Sequence, residues 1–510
     1  MGDNQLAQIE HVVVVMLENR SFDNLLGWLY DPLNPVPFNQ VPPLNFEGVY
    51  GKTLNNSSSK GPISVGKGYQ FTAPNPDPGE PYEDVYAQIF GQQTVLPLDQ
   101  VPPKPPIPPN MNGFMYNYTD RCGATDPKII MNCFTPASVP VLSSLAHYYG
   151  VCDHWFSSIP SQTLCNRSYV HAGTSSGYVD NGGGDGILFV NDTPTVFNLL
   201  SEGDREWRVY CAGWTVTSLV LLTQKQVWDF ALRPGYFSYL HDFISAAQKP
   251  GGLPAYSFIE PNYIDALVWG PENDMHPESH PVQLYGPSNI EEGEKLLYKI
   301  YTAVRNSPDW KKTLLIVLFD EHGGCYDHVC PPTATSPDNV VIPQSEPGGS
   351  GFNFDRLGVR VPAIVVSAFT APGTILNEAV DHTSVLSTIV NCFDLPKGRL
   401  GMRQQIAPDI SEALTLDSPR TDYPPIPQPA SITVSIEQRT EALGRALLQS
   451  KAKPISELQR RILAGASQRL GLYDVHRDVI AGATTSLEAD ALLIKLEAEL
   501  VLRRRSSDLS

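Results

Sequence analysis

The sequence predicts an α/β fold, in which buried strands alternate with helices. Two apolar runs, residues 12–17 and 314–319, have the length of strands that are buried on both faces, and they are too short to span a membrane. Between them, residues 182–260 alternate turns with helix and strand patterns, including predicted strands at 207–211 and 255–260. This alternation is typical of βαβ units and indicates a central sheet.

Both apolar runs end abruptly in polar residues. The first is followed by Glu18 and Asn19, and the second by Asp320, Glu321 and His322 before a pair of glycines that permit a sharp turn. In open α/β sheets the ligand site lies at the carboxyl ends of the strands. Adjacent carboxylates repel each other unless a cation compensates, so the pattern indicates a hard metal ion. Taken alone, the Asp-Glu-His turn is more often solvated, and Glu18 could cap a helix.

Further elements follow from local patterns. Residues 138–149 and 288–306 have helix patterns, and in the second, apolar residues recur at helical spacing. Residues 359–367 are another predicted buried strand, and Arg360 inside it is expected to pair with a carboxylate. These elements extend the predicted α/β core toward the carboxyl terminus.

Two regions differ in composition from this core. Residues 28–112 are rich in Pro, Gly, Asn and Ser, which favours extended segments and turns. We interpret them as a long insertion over the active-site edge, although a simple surface loop fits equally well. Residues 413–431 form a predicted Pro-rich linker, and residues 432–510 form a helical region. That region could pack on the core, form an oligomer contact or bind a partner.

Composition and charge exclude some classes of function. The chain has 36 basic and 54 acidic residues, and the formal net charge is -18. A protein that coats nucleic acid needs a positive field, so a nucleic-acid partner is not expected. An anionic substrate must instead be attracted locally, by a metal ion and a few basic side chains.

Cysteine usage and targeting signals leave the compartment open. The eight cysteines form no CxxC pair, so a zinc-thiolate site is not expected, while Cys122 and Cys133 are a candidate disulfide. The chain shows no signal peptide and no apolar run as long as a spanning helix. Both secretion and a cytoplasmic location are compatible with the sequence.

Six motifs occur in an order that resembles one known family: ENRSFDNLLG at 18–27, TLCNR at 163–167, ENDMHP at 272–277, DEHGGCYDHVCPP at 320–332, GVRVPAIVVS at 358–367 and DHTSVL at 381–386. The sequence is thereby similar to the phosphoesterase family of bacterial phospholipases C, acid phosphatases and plant non-specific phospholipases C. The resemblance implies an alkaline phosphatase-like central sheet flanked by helices on both faces. It also implies that residues 1–412 form the catalytic domain.

The resemblance implies a nucleophile and a metal site. One divalent metal ion of unknown identity would be held by Glu18, Asn19, Thr163, Asp320 and Glu321. Thr163 is the expected nucleophile, although an isolated Thr is more often a cap or a surface hydroxyl. Cys165 stands where the family has Pro, and as a soft ligand it is poorly suited to phosphoryl transfer. Arg167 is expected either to bind the phosphoryl group or to brace the loop.

Other polar residues of the motifs receive supporting roles by the same resemblance. Asn166 is expected to donate hydrogen bonds to a phosphoryl oxygen, and His276 to protonate the leaving oxygen, with His280 as a substitute. His328 would bind the phosphate or the leaving group, or hold its loop. His382 would either support the site or cap the following helix.

The implied activity is metal-dependent hydrolysis of phosphoric esters through a phosphothreonine intermediate. A phospholipase C that cleaves phosphatidylcholine-type lipids is favoured, because the DEHGG and GVRVP blocks match those enzymes and the Pro-rich region could form a lipid-facing mouth. An acid phosphatase that hydrolyses monoesters is the alternative within the family. A noncatalytic lipid- or protein-binding relative is the alternative of another class. The expected partner is a phospholipid or another phosphate ester, with transient contact at a membrane surface.

Overall fold

The computed structural model describes residues 5–507, except 69–73, 75, 125, 183–187, 265–268, 278–289, 347–348, 430–456 and 484. His280 and the first part of the predicted helical region, 432–456, therefore lie outside the described residues.

An eight-stranded mixed sheet forms the centre of the molecule, with the strand order β12-β6-β11-β10-β1-β9-β7-β8. The described residues also contain two small two-stranded sheets, β2-β3 and β4-β5. The strands are β1 His11–Leu17, β2 Asn55–Asn56, β3 Ile63–Ser64, β4 Gly66–Gly68, β5 Asn132–Phe134, β6 Gly150–Cys152, β7 Trp207–Cys211, β8 Phe237–Tyr239, β9 Tyr256–Glu260, β10 Thr313–Phe319, β11 Ala363–Ser367 and β12 Thr374–Leu376.

The two Val- and Leu-rich strands lie side by side at the middle of this sheet. β1 pairs in parallel with β10, in a register that places Leu17 opposite Phe319, and it pairs in parallel with β9 on its other side. Every residue of β1 and β10 is buried, as expected for strands covered on both faces. Because the two strands end at the same level, the residues that follow them leave the sheet together.

Helices cover both faces of the sheet. They are α1 Phe22–Leu26, α2 Tyr82–Phe90, α3 Phe114–Tyr116, α4 Pro140–Tyr148, α5 Thr163–Ala172, α6 Val196–Glu202, α7 Leu219–Thr223, α8 Trp228–Ala231, α9 Leu240–Ala247, α10 Ile290–Arg305, α11 Thr383–Cys392, α12 Gly401–Ile406, α13 Glu457–Arg469, α14 Tyr473–Gly482 and α15 Ser486–Ser507.

Two ring contacts show that α5 and α9 pack on opposite faces. Phe258 of β9 meets His171 of α5 with a centroid distance of 4.6 Å, and Tyr210 of β7 meets Phe243 of α9 at 5.3 Å. In the strand register Phe258 lies opposite Val209, the neighbour of Tyr210, so the two rings point to opposite faces. The predicted α/β architecture with helices on both faces is confirmed.

Most predicted elements agree with the structure within a few residues, and one strand is shorter than predicted. The strand expected at 359–367 begins only at Ala363, directly after Pro362, and Arg360 lies before it. Arg360 nevertheless pairs with carboxylates, as expected, through Asp23 and Asp327. The suggested disulfide is wrong, because Cys122 and Cys133 are free thiols.

The carboxyl-terminal helices pack on the core. Glu497 of α15 accepts hydrogen bonds from the Thr215 hydroxyl, the Val216 amide and the Tyr239 hydroxyl. Residues 414–429, within the predicted linker, contain neither helix nor strand. Within the part of the chain that the structure describes, no helix is both long and apolar enough to cross a bilayer.

Candidate active site

The ends of β1 and β10 bring two distant sequence segments together. The Asp320 carboxylate accepts hydrogen bonds at Oδ1 from the backbone amides of Asn19, at 3.0 Å, and Glu321, at 2.8 Å. Glu18, Asn19, Asp320 and Glu321 are all fully buried at this edge. The parallel pairing of two neighbouring strands thus gathers the predicted carboxylate cluster.

Asn19 connects the strand ends to the predicted nucleophile. Its backbone is left-handed, with φ 56°, a conformation that Asn tolerates better than most residues. Its side-chain Oδ1 accepts a hydrogen bond from the Thr163 hydroxyl at 3.2 Å, and its Nδ2 donates to Oε1 of Glu80 at 2.7 Å. Asn19 is therefore oriented by polar partners on both sides.

The glycine pair after His322 is required by close packing. Gly323 has φ +62°, and a Cβ atom built there would lie 2.1 Å from the carbonyl oxygen of Asn19. Only glycine allows this approach of the turn to the end of β1. The turn after β10 and the turn after β1 are thus fitted to each other.

Thr163 is the first residue of α5, and its side chain is buried beside Asn19. The neighbouring Cys165 points elsewhere, since its Sγ donates to the carbonyl oxygen of Asp180. Burial and then the nearby Asp180 charge raise the pKa of the Cys165 thiol well above its usual value. A protonated thiol is a poor nucleophile, so the geometry favours Thr163 over Cys165.

Arg167 holds the carboxylate cluster in place through contacts with Asp320, Glu18 and the end of β1. Its Nε donates to Oδ2 of Asp320 at 2.9 Å, and its Nη2 lies 3.3 Å from Oε1 of Glu18. The same Nη2 donates to the carbonyl oxygens of Met16 and Leu17 in β1. Of the two roles expected for Arg167, these contacts fit the brace.

Several buried carboxylate oxygens have no hydrogen-bond donor among the described residues. They are both side-chain oxygens of Glu18 and Oε1 of Glu321. Burial raises the pKa of Glu18 well above its usual value, against the opposing charge of Arg167. Burial, followed by the charges of Glu80 and Asp320, does the same for Glu321.

The carboxylate oxygens of Glu18 and Glu321 that lack donors indicate whether a metal ion fits this site. An ionised, buried carboxylate without donors is costly, and a cation removes that cost. The donors available are carboxylate, amide and hydroxyl oxygens, the set that hard divalent ions prefer. The donor types of the residues predicted to hold one divalent ion therefore suit such an ion. Among the described residues, the His, Asp and Glu groups whose ligand atoms lie within 4.8 Å of one another are Asp23, Asp327 and His328, and next to this edge Asp77, Glu80 and His276.

His276 lies at the same edge through the loop that precedes it. The Glu18 amide donates to the carbonyl oxygen of Asp274 at 2.7 Å, and Oδ1 of Asp274 accepts from the amide of His276 at 3.0 Å. Nε2 of His276 lies 3.4 Å from Oε1 of Glu80. The predicted proton donor is thus brought beside the strand ends.

Glu80 is the site residue that sequence reasoning missed. It comes from the Pro-rich stretch at 28–112 and contacts both Asn19 and His276. The sequence analysis predicted extended segments and turns for this stretch, and one acidic residue in a proline-rich stretch is not distinctive. Its position shows that part of this stretch lies over the active-site edge.

Asn166 is close to Thr163 but faces the loop. Its Nδ2 donates to the carbonyl oxygens of Ile159, Ser161 and Gln162, and its Oδ1 accepts from the amide of Ile159. These contacts occupy both amide hydrogens. They fit a residue that holds the nucleophile loop, and they leave the expected phosphoryl contact without direct support.

His382 contacts Asp320, the residue that follows β10. The indole N–H of Trp155 donates to Nδ1 at 3.2 Å, so Nδ1 is the unprotonated nitrogen. Nε2 then carries the hydrogen and donates to the carbonyl oxygen of Asp320 at 2.6 Å. Burial lowers the pKa of His382, which favours this neutral form. The side chain does not cap α11, so the supporting role is favoured over the capping role.

His328 lies in a separate charged cluster. Its Nδ1 lies 2.6 Å from Oδ2 of Asp23, and its Nε2 lies 2.9 Å from Glu47. Arg360 joins this cluster by donating to Asp327 at 2.9 Å and to Asp23 at 3.0 Å. Asp23, Asp327 and His328 have ligand atoms close enough for a metal, but the guanidinium already supplies a cation there. These contacts fit the expected role of holding the loop.

Known proteins are similar to this chain over most of its length. The sequence matches the phosphoesterase family over residues 9–396. It is 34% identical over 459 residues to non-specific phospholipase C3 of Arabidopsis thaliana, covering 87% of this chain and 81% of the relative. It is 27% identical over 429 residues to phospholipase C B of Mycobacterium tuberculosis, covering 77% and 74%.

A solved structure of an alkaline phosphatase superfamily protein from Vibrio parahaemolyticus aligns with a TM-score of 0.31 and 11% identity, covering 61% of this chain and 80% of that chain. The family match spans all six motifs and every residue of the strand-end cluster. The chain belongs to the phosphoesterase family and is a phosphoric ester hydrolase.

Proposed function

We propose that this enzyme is a metal-dependent phospholipase C that cleaves phosphatidylcholine-type lipids through a phosphothreonine intermediate. The observation that carries the proposal is the convergence of the Thr163 hydroxyl with the polar residues that end β1 and β10. Relatives named non-specific phospholipase C, at 34% and 33% identity over more than four-fifths of this chain, support the choice of substrate class.

Glu18, Asn19, Asp320, Glu321 and Thr163 would hold one divalent ion. Such an ion, when bound, offsets the charge of the buried carboxylates, lowers the pKa of a nearby hydroxyl and neutralises charge on phosphoryl oxygens. The orphaned oxygens of Glu18 and Glu321 support this ligand set.

Thr163 supplies the nucleophile in this scheme. The Thr163 hydroxyl gives its proton to solvent, and Oγ1 attacks phosphorus as the bond from phosphorus to the diacylglycerol oxygen breaks, while His276 gives a proton to that leaving oxygen. Water then attacks the head-group phosphothreonine and gives a proton to the now neutral His276; the phosphorylated head group is released, and the Thr163 oxygen takes up a proton to regenerate the hydroxyl. Because Thr163 begins α5, the positive end of that helix lies at the proposed nucleophile.

Three further residues hold this arrangement in place. Arg167 fixes the Asp320 carboxylate, and His382 fixes the backbone carbonyl of the same residue. Asn166 holds the loop that leads into Thr163. Each of them acts through a neighbour, so we class them as positioning residues.

The test is product analysis with two substrates under identical divalent-ion conditions. Phosphatidylcholine is expected to yield diacylglycerol and phosphocholine, with slower release of phosphate from p-nitrophenyl phosphate. Turnover of the monoester without diacylglycerol release would replace the phospholipase assignment with acid phosphatase. No turnover of either substrate with any divalent ion would support a noncatalytic relative.

A further inference from the structure

We propose that Glu80 is a positioning residue that links the nucleophile side of the site to the proton-donor side. This inference rests on the proposed roles of Thr163 and His276. It assigns a catalytic purpose to the Pro-rich stretch at 28–112, because Glu80 lies within it.

The first link runs from Glu80 to Thr163. Oε1 of Glu80 accepts a hydrogen bond from Nδ2 of Asn19 at 2.7 Å. An acceptor at that place fixes the amide so that Nδ2 faces Glu80 and Oδ1 faces the Thr163 hydroxyl. Without it, the Asn19 amide could rotate and present a donor where the site needs an oxygen ligand.

The second link runs from Glu80 to His276. The same Oε1 lies 3.4 Å from Nε2 of His276, and both side chains are buried. A carboxylate at this distance stabilises the protonated imidazole, which is the form that donates a proton. One oxygen atom thus contacts both halves of the proposed reaction.

The backbone that carries Glu80 is fixed to the turn after β10. Gln88 of α2 donates to the carbonyl oxygen of Gly79 at 2.7 Å, and its Oε1 lies 2.7 Å from Nε2 of His322. Because the amide oxygen of Gln88 can only accept, Nε2 of His322 carries a hydrogen and donates it to Gln88. The segment before α2 is therefore held against the active-site turn.

A close backbone approach adds to this attachment. Gly324 has φ +60°, and a Cβ atom built there would lie 2.5 Å from Cβ of Pro78. The turn and the segment before Glu80 are thus in direct contact. A surface loop with no catalytic purpose does not explain a buried carboxylate held by contacts of this kind.

The experiment compares two substrates that share a head group and differ in the leaving group. p-Nitrophenyl phosphorylcholine releases a phenolate that needs no proton, whereas short-chain phosphatidylcholine releases an alkoxide that does. Glu80→Gln keeps an acceptor for Asn19 but removes one of the two carboxylates, Glu80 and Asp77, that lie beside His276. We expect its kcat to fall about 100-fold on the lipid, the scale of general acid catalysis, and less than about threefold on the phenyl ester.

Glu80→Ala removes the acceptor as well as the charge. We expect it to slow both substrates and to raise the divalent-ion concentration needed for half-maximal activity. Asp99→Asn is the matched control, because Asp99 is an exposed acid in the same stretch, and it should leave both activities unchanged.

Equal loss on both substrates in Glu80→Gln, or no loss on either, would overturn the proposal. Circular dichroism and the residual activity on the phenyl ester show whether each variant is folded. The proposed function fails differently: Thr163→Ala would then retain turnover of the phenyl ester, whatever the Glu80 variants do.

Discussion

Glu18 and Asp320 follow neighbouring parallel strands, yet only the Asp320 carboxylate receives hydrogen bonds from the described residues. Asp320 accepts from two backbone amides and from Arg167, whereas both oxygens of Glu18 lack a donor. The two carboxylates therefore differ in how they are held. Hydrogen bonds fix the Asp320 carboxylate, whereas Glu18 has an ion pair with Arg167 and accepts no hydrogen bond from the described residues.

Glu18→Gln should change the stability of the chelated protein little and abolish its response to metal. The amide removes a buried charge but also the 3.3 Å ion pair of Glu18 with Arg167, so the two effects on the Tm of the chelated protein oppose each other. The same change removes a proposed ligand oxygen charge, so divalent ions should no longer raise the Tm or support turnover. Thermal unfolding with chelator and with added Mn²⁺ measures both effects.

Asp320→Asn is the contrasting variant. It replaces an acceptor of three hydrogen bonds with a side chain that has only one acceptor oxygen, and it removes one of the two carboxylates that pair with Arg167. We expect a loss of about 3–5 kcal/mol in the free energy of unfolding, with or without metal. Equal stability changes in the two variants would contradict the distinction between Glu18 and Asp320.

The stabilisation by a divalent ion should increase with pH. Burial raises the pKa of Glu18 and Glu321 above the usual value of 4.5. In the pH interval between 4.5 and these raised pKa values, the folded chelated protein therefore binds more protons than the unfolded protein. Its stability therefore falls as pH rises through the interval. Metal binding needs the ionised carboxylates and releases those protons. The Tm difference between loaded and chelated protein should be larger at about pH 8 than at about pH 5, and a constant difference would count against the ligand set.

Gly323→Ala should damage the site far more than an alanine at another left-handed glycine. The new Cβ would lie 2.1 Å from the carbonyl oxygen of Asn19, so Asn19 must move. A displacement of about 1 Å is expected to cost about 100-fold in kcat. Gly373 has φ +70° with no atom within 4 Å of its Cβ position. Gly373→Ala should therefore cost only the backbone strain of about 1 kcal/mol in unfolding free energy and keep full activity.

Thr163→Ala should abolish turnover without unfolding the protein. The Thr163 hydroxyl donates to Asn19, and the loss of that one bond costs about 1 kcal/mol. We expect kcat to fall at least about 1,000-fold, the scale seen when a covalent nucleophile is removed. Thr163→Ser should retain activity, and mass spectrometry of protein rapidly quenched during turnover of phosphatidylcholine should find phosphocholine on residue 163 in the active forms. Substantial turnover by Thr163→Ala would exclude the covalent role.

The most accurate predictions from the sequence concern segments in which a buried strand leads directly into the polar residues of the site. An apolar strand that ends in acidic residues is visible in a linear pattern, so β1 and β10 were placed to within one residue. The helix α10, Ile290–Arg305, lies within the predicted 288–306, whose first two residues fall outside the described ones. The meeting of Asn19 with Asp320 then follows from parallel pairing of the two strands.

The supporting residues were harder to predict, because their roles depend on contacts between distant segments. Nothing adjacent to Glu80 or His382 in sequence indicates that one contacts Asn19 and the other the Asp320 carbonyl. His328 shows the opposite case. It stands in a strong motif and was a candidate for binding the phosphate, but its ring nitrogens contact Asp23 and Glu47. Such partners become visible only when the turns are placed in three dimensions.

The pairing of β1 with β10 also constrains the order of events during synthesis. The residues proposed to bind the ion are synthesised at different times: Glu18 and Asn19 near the start of translation, and Asp320 and Glu321 some 300 residues later. A nascent chain that ends before residue 313 lacks β10, so the edge of β1 that pairs with β10 has no partner strand. The proposed ion would therefore meet its full ligand set only after residue 321 has been synthesised.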